Sequence, residues 1–178
     1  MAGRRIDASD ADQPHFPATR IGDVERAIED RLIVDGVRAL ACAAANGSDL
    51  LALRIAGELG LRRRIVLPFA PDIFRKMSVV DRNGYAWGDL FDAVVGEVQA
   101  VGDLVIAGLD PADPDVFEEA NRSILDEALS LAAALGDEVE ALVVWDPARR
   151  TAQDFTAHFA DEAQKRHLPV ISISILSP

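Results

Sequence analysis

Cysteine is almost missing from this chain of 178 residues: Cys42 is the one thiol, so no internal disulfide is open to it. Nothing in the cysteine usage therefore asks for an oxidising compartment. Histidine is equally sparse, and His15, His158 and His167 stand at no spacing that serves a metal, so no metal site is expected. Apolar runs long enough for a membrane span, about 18–20 residues, are lacking because charged residues interrupt every stretch. The first residues, Met1 to Ala8, carry no apolar core of the signal-peptide kind. Positive charge is also short: 18 Lys and Arg stand against 30 Asp and Glu, a net charge of −12. Such a surface repels polyanions, which argues against general nucleic-acid binding. A small anion is a different matter, since a few converging arginines and backbone donors suffice to hold it. No internal repeat and no low-complexity segment occurs.

What remains is the mixture of a globular domain with a sizeable core, 49% hydrophobic and 27% charged. Residues 1–20 read as an irregular arm, with Asp7, Pro14 and Pro17 for loop character and Phe16 as an apolar anchor. Residues 21–178 read as a single domain. Ile21, Val24, Ile28 and Leu32 recur at helical spacing, and Asp35-Gly36 closes that helix. Apolar strands are expected at Val37–Ala43, Ile65–Phe69, Asp103–Leu109, Val139–Trp145 and Val170–Ile175. Helices are expected between them, at Leu50–Leu59, around Ile73–Met77, from Gly88, at Val116–Leu135 and at Ala152–Arg166, with a turn at Asn83-Gly84. Continuous apolar strands alternating with helices predict an α/β fold: a mainly parallel sheet of five to six strands with helices on both faces. Ligands of such sheets lie beyond the carboxyl ends of the strands.

The turn Ala43 to Asp49 therefore draws attention first. Its small residues admit a ligand to the backbone, Asn46-Gly47 accepts positive φ, and the helix it opens presents free N–H groups to a phosphate. The alternative is a tight turn in which Ser48 or Asp49 caps the helix. The turn matches neither GxGxxG nor the P-loop. Glu118, Glu119, Asn121 and Arg122 lie near the start of the longest helix. They are either a solvated ion-pair face or cleft residues, Arg122 for a phosphate and a glutamate for a ribose hydroxyl. Arg149, Arg150 and Thr151 precede another helix, and Arg4 and Arg5 follow Gly3; each group either holds an anion or is solvated. Cys42, Trp87 and Trp145 read as packing residues, and no nucleophile elbow is present.

These segments, taken in order, resemble a bacterial branch of the SLOG superfamily, Rossmann-like domains related to the Lonely Guy phosphoribohydrolases and to DNA-processing protein A. The matching stretches are Gly3-Arg4-Arg5-Ile6-Asp7, His15-Phe16-Pro17, Ala43 to Leu51, Val66-Leu67-Pro68-Phe69, Phe74, Ser78-Val79, Trp87, Phe91, Glu119-Ala120-Asn121-Arg122 and Val144-Trp145-Asp146. The resemblance implies a three-layer fold with a nucleotide pocket, Gly47 and Asp49 on its phosphate side, and a sensing role. Members usually carry a first strand before the Gly-Arg segment, where only Met1-Ala2 precede Gly3 here, so the expectation is that this strand is lost or that the start of the chain lies inside the gene. Where members carry Gly-Gly-Thr, this chain reads Arg149-Arg150-Thr151, and the PGGxGTxxE motif of the Lonely Guy enzymes is absent.

The expectation is a cytoplasmic domain that binds a nucleotide or nucleotide derivative as a sensor, with no cofactor and no catalysis of its own. Its ligand residues would be Gly3, Arg4, Arg5, Asn46, Gly47, Ser48, Asp49, Asn121, Arg122, Arg149, Arg150 and Thr151. One alternative is a hydrolase of nucleotide N-glycosidic bonds, with Glu118 or Glu119 stabilising the ribosyl cation. Another is a degenerate fold kept for protein interaction. Expected partners are a small nucleotide-like ligand and, as an open option, a second copy of the chain, but neither nucleic acid nor a membrane.

Overall fold

The computed structural model describes residues 1–8, 11–12, 14–82, 86–146 and 154–175. Six strands and six α-helices alternate along it. They are β1 (Ala2–Gly3), α1 (Ile21–Val34), β2 (Ala39–Cys42), α2 (Ser48–Glu58), β3 (Arg62–Leu67), α3 (Pro71–Ser78) and α4 (Trp87–Ala100). Then come β4 (Leu104–Ile106), α5 (Val116–Leu135), β5 (Ala141–Trp145), α6 (Phe155–Lys165) and β6 (Val170–Ser174). A 3-10 turn at Ala18–Arg20 leads into α1. The strands form two three-stranded sheets, β2-β3-β4 and β1-β5-β6, and every pairing is parallel. The sheets meet at β1 and β2, where the Met1 ammonium donates to the Ala41 carbonyl at 2.7 Å. The fold is the three-layer, Rossmann-like α/β arrangement that the strand pattern predicts.

Strand alternation feeds two cores. In β5, Ala141, Val143 and Trp145 point to one face, and Leu142 and Val144 to the other. In β3, Val66 joins the first set while Ile65 and Leu67 join the second. Period-2 alternation with apolar residues at every position is what a sheet covered on both sides requires. Helices α5 and α6 cover the face of Trp145, packing on each other and on β2, β3 and β5. Helices α1, α2 and α4 cover the opposite face, with Val24, Ile28 and Leu32 of α1 buried at a spacing of four. Phe74 of α3 stacks on Phe91 of α4 with centroids 6.2 Å apart, which ties α3 to the same layer. Among the described residues no helix is long and apolar enough to cross a membrane.

Two details differ from the sequence reading. A first strand is present, reduced to Ala2–Gly3 and paired with Val143 and Val144 of β5. Met1 before it and Ile6 and Phe16 of the arm after it are buried in the core. The second difference is at β3, which begins at Arg62 rather than after Arg64. Three consecutive arginines enter a strand because each guanidinium finds a carboxylate on its own side. Arg63 reaches Glu97 of α4 at 2.8 Å and Arg64 reaches Glu127 of α5 at 2.9 Å. Arg62 and Arg64 together close on Asp103, which precedes β4, each at 2.8 Å.

Asp103 is buried, and hydrogen bonds from Arg62, followed by those from Arg64, outweigh its burial and hold its carboxyl down to about 2. A carboxylate depressed below its ordinary 3.8 stabilises the fold above that value and loses the effect as pH falls toward 2. Asp103→Asn should therefore cost about 1–2 kcal/mol at pH 7, a figure discounted for the half-exposed Arg62. Urea titrations of both proteins should show the difference shrinking below pH 4, and a constant difference would refute the assignment.

Candidate functional site

The chain winds outward from β1 through β2 and β3 to β4, then returns to place β5 on the other side of β1. The winding direction reverses at β1, and open parallel sheets carry their ligand crevice at the carboxyl ends beside such a reversal. A cavity of about 410 Å³ lies there. Gly3, Arg4 and Arg5 enter it from the end of β1, Ala43, Ala45 and Asp49 from the turn after β2, and Pro68 from the end of β3. Phe117, Ala120, Asn121 and Ile124 of α5 form an opposite wall, with Phe155 and Thr156 at the start of α6. Phe117 and Phe155 pack against each other with centroids 5.2 Å apart. Ser78, Arg82, Asp7 and His15 complete the polar part of the wall.

The exit from β1 is pinned by Asn46, Gly47 and Ser48 of the turn after β2. Asn46 accepts from Arg5 Nε at 3.1 Å and donates to the Val79 carbonyl at 2.8 Å. Ser48 gives both its backbone N–H, at 3.1 Å, and its hydroxyl, at 2.9 Å, to the Arg4 carbonyl. Gly47 sits at φ 89°, ψ −130°, and a Cβ there would stand 2.6 Å from Ile6 N and 2.7 Å from Arg4 O. The backbone that approaches this glycine is thus the chain's own. Arg4 itself forms a bidentate pair with Asp154, at 2.8 and 2.5 Å, across the crevice to the first turn of α6. Asp154 also caps α6 by accepting from Ala157 N.

Of the turn 46–49, Asp49 is the residue that reaches the cavity. It is 6% exposed, and its Oδ1 has no hydrogen-bond partner. Burial pushes the carboxyl up to about 7, against the opposing pull of the Met1 ammonium, the N–H groups of Ala45 and Gly3, and Arg5. Arg5 is paired with Asp81, and Arg82 donates to the Ile6 carbonyl at 2.8 Å. Burial and the neighbouring Arg5 lower the affinity of Arg82 for its proton. Three guanidinium groups, Arg4, Arg5 and Arg82, thus share one wall with two carboxyls, Asp7 and Asp49.

The remaining sequence candidates divide. Asn121 is buried, lines the cavity and donates to the Phe155 carbonyl at 2.8 Å. Glu118 turns instead to His158, at 3.4 Å, and to Arg122, at 3.8 Å, while Glu119 is exposed. Helical phase explains the split: residues 117, 120, 121 and 124 share the inward face, and 118, 119 and 122 point elsewhere. Arg149, Arg150 and Thr151 lie outside the described residues, as does the Asn83-Gly84 turn. Asp7, His15, Ser78, Arg82, Phe117, Phe155 and Thr156 join the wall without having been singled out as ligand residues. The 117–120–121–124 stripe was readable as an inward face; nothing local marks Arg82 or Thr156. Among the described residues no group of three or more His, Cys, Asp or Glu is placed to hold a metal ion. A scan against protein-family models finds none that matches the chain, and a search of curated proteins finds no match.

Two expectations concern the turn. Gly47→Ala combines a disfavoured φ with a backbone clash and should destabilise the fold by about 2–5 kcal/mol. Chemical denaturation measures it, and a loss below 1 kcal/mol would mean that the β1 exit yields easily. For Asp49 the linkage runs opposite to that of Asp103. The folded carboxyl keeps its proton up to about 7 while the unfolded one releases it near 3.8, so its contribution falls as pH rises through that interval. Asp49→Asn should gain stability relative to wild type between pH 4 and 7, by at most about 4 kcal/mol. Parallel denaturation curves at the two pH values check the sign.

Proposed function

We propose that this chain is a binding domain for a nucleotide or nucleotide derivative, acting as a sensor, as its resemblance to the SLOG superfamily implies. The observation that carries the reading is the cavity at the strand ends. Its 410 Å³ suits a ligand of mononucleotide size. Aromatic and aliphatic walls from Phe117, Ala120, Ile124 and Phe155 offer a surface for a base, and Arg5 and Arg82 offer charge for a phosphate. The first N–H of α2, that of Ser48, is engaged by the Arg4 carbonyl and that of Leu50 by the Ala45 carbonyl, so the phosphate is assigned to these arginine side chains rather than to the helix terminus.

The hydrolase alternative would need a carboxylate at the sugar. Glu118 and Glu119, its sequence candidates, stand outside the wall, so such a reaction would fall to the carboxyls that do line it, Asp7 or Asp49.

A thermal-shift screen against nucleoside monophosphates, diphosphates and ribosyl derivatives such as ADP-ribose tests the reading. A ligand at 100 times its Kd adds about 2.7 kcal/mol, enough to raise Tm by several degrees. Arg82→Gln should shrink that shift, and what remains should depend less on salt. Absence of a shift with every nucleotide would refute the proposal. Release of free base from a monophosphate, lost in Glu119→Gln, would install the hydrolase instead.

A further inference from the structure

We infer that the Asp49 carboxyl is the ligand-reading acceptor of the cavity, taking a hydrogen bond from a hydroxyl or amine hydrogen of the bound molecule; this rests on the nucleotide reading above. Three observations converge on it. Asp49 stands in the cavity wall, it is more than nine-tenths buried, and Oδ1 has no hydrogen-bond partner. Acidic residues in a first helical turn ordinarily stand in water, where the dipole favours them at little cost. Here the carboxyl is enclosed, and although the N–H groups of Ala45 and Gly3 reach it, Oδ1 is left without a donor, which is costly. A purely structural role would be served as well by an apolar residue of similar size, or by an asparagine bonded on both sides. Its neighbours in the wall include the small residues Gly3, Ala43 and Ala45.

The chemistry of the acceptor fixes what it recognises. Above about pH 7 the carboxyl is charged and repels anions, so the phosphate of a nucleotide is excluded from its side there; below it, the carbonyl oxygen of the neutral acid still accepts. Hydrogen-bond donors on such a ligand are the ribose hydroxyls and the exocyclic amine of the base. The phosphate then falls to Arg5 and Arg82, and the turn after β2 becomes the end of the site that reads the sugar or base. That arrangement makes Asp49 a specificity residue: a site built to bond a donor rejects the analogue that lacks it, because the buried acceptor is left unpaired.

Titration calorimetry on the full chain tests this. The probes are AMP, GMP, CMP and UMP, then the 2′-deoxy and 3′-deoxy forms of whichever binds tightest, the deaminated nucleotide for an amine-bearing base, and inorganic phosphate. The expected result is a tenfold or greater loss of affinity, about 1.4 kcal/mol, on removing one of these donors. Asp49→Ala should show a similar loss for the parent nucleotide and no further loss for the analogue, while inorganic phosphate binds both proteins alike. Parent and analogues binding wild type equally would overturn the assignment, as would an Asp49→Ala protein that keeps both affinity and discrimination. Either result leaves the nucleotide reading standing. No binding by any nucleotide overturns both. Should Asp49→Ala fail to fold, Asp49→Asn and the analogue series on wild type decide the matter, since the series needs no variant.

Discussion

The Arg4 carbonyl accepts two hydrogen bonds from Ser48, one from its backbone and one from its hydroxyl, and much of the molecule is arranged around that acceptor. A helix N-terminus leaves several N–H groups without intrahelical partners. In α2 the first of them is directed at the segment leaving β1, so the central strand of the fold ends against the start of the neighbouring helix. Only glycine at position 47 lets the two backbones come this close. The position of the segment then decides the rest of the site. It sends the Arg4 side chain toward Asp154, Arg5 toward Asn46 and Asp81, and the Ile6 carbonyl toward Arg82. The crevice lies beside this segment, whose Arg4 and Arg5 are held by Asp154, Asn46 and Asp81 and whose Ile6 carbonyl holds Arg82.

The cations of this protein are nearly all arginines: of 18, only Lys76 and Lys165 are lysines. That choice fits the geometry seen at Arg4–Asp154, Arg62–Asp103 and Arg75–Asp92, where one planar guanidinium addresses both oxygens of a carboxylate. A lysine has a single charged atom and would meet one oxygen at a time. In a chain of net charge −12 such pairs let a minority of cations neutralise acids at chosen places, leaving the excess on the surface.

Much of the architecture was legible in the amino-acid pattern because apolar runs and helical stripes record burial directly. The helix Val116–Leu135 carries the boundaries its periodicity predicts. The parallel sheet follows from strands such as Ala141–Trp145, buried at every position. Arg62–Arg64 were harder, since a charge run reads as loop until the carboxylates that receive it are in place. The same holds at the candidate site. Asn46, Gly47, Ser48 and Asp49 were recognisable as a special turn, yet their division of labour was not. Three of them grip a segment more than 40 residues earlier, and only the fourth faces the cavity. Glu118 and Glu119 looked functional by charge, whereas the residues that line the wall beside them, Phe117 and Asn121, differ from them only by helical phase.

The pairing of β1 with β5 also has a consequence for how the chain acquires its shape. Ala2 lies opposite Val143, so the two strands that meet at the middle of the layer are about 140 residues apart in sequence. During synthesis β2, β3 and β4 follow one another within residues 39–106, while β1 waits for a partner that has not yet been made. Closing a loop of that size costs entropy before any contact repays it, and folds that depend on such distant contacts form slowly. The residues that define the crevice, Arg4 and Arg5 among them, follow directly on β1. The far side of the pocket, closed by Arg4 on Asp154, is therefore assembled only when the late part of the chain has joined β1.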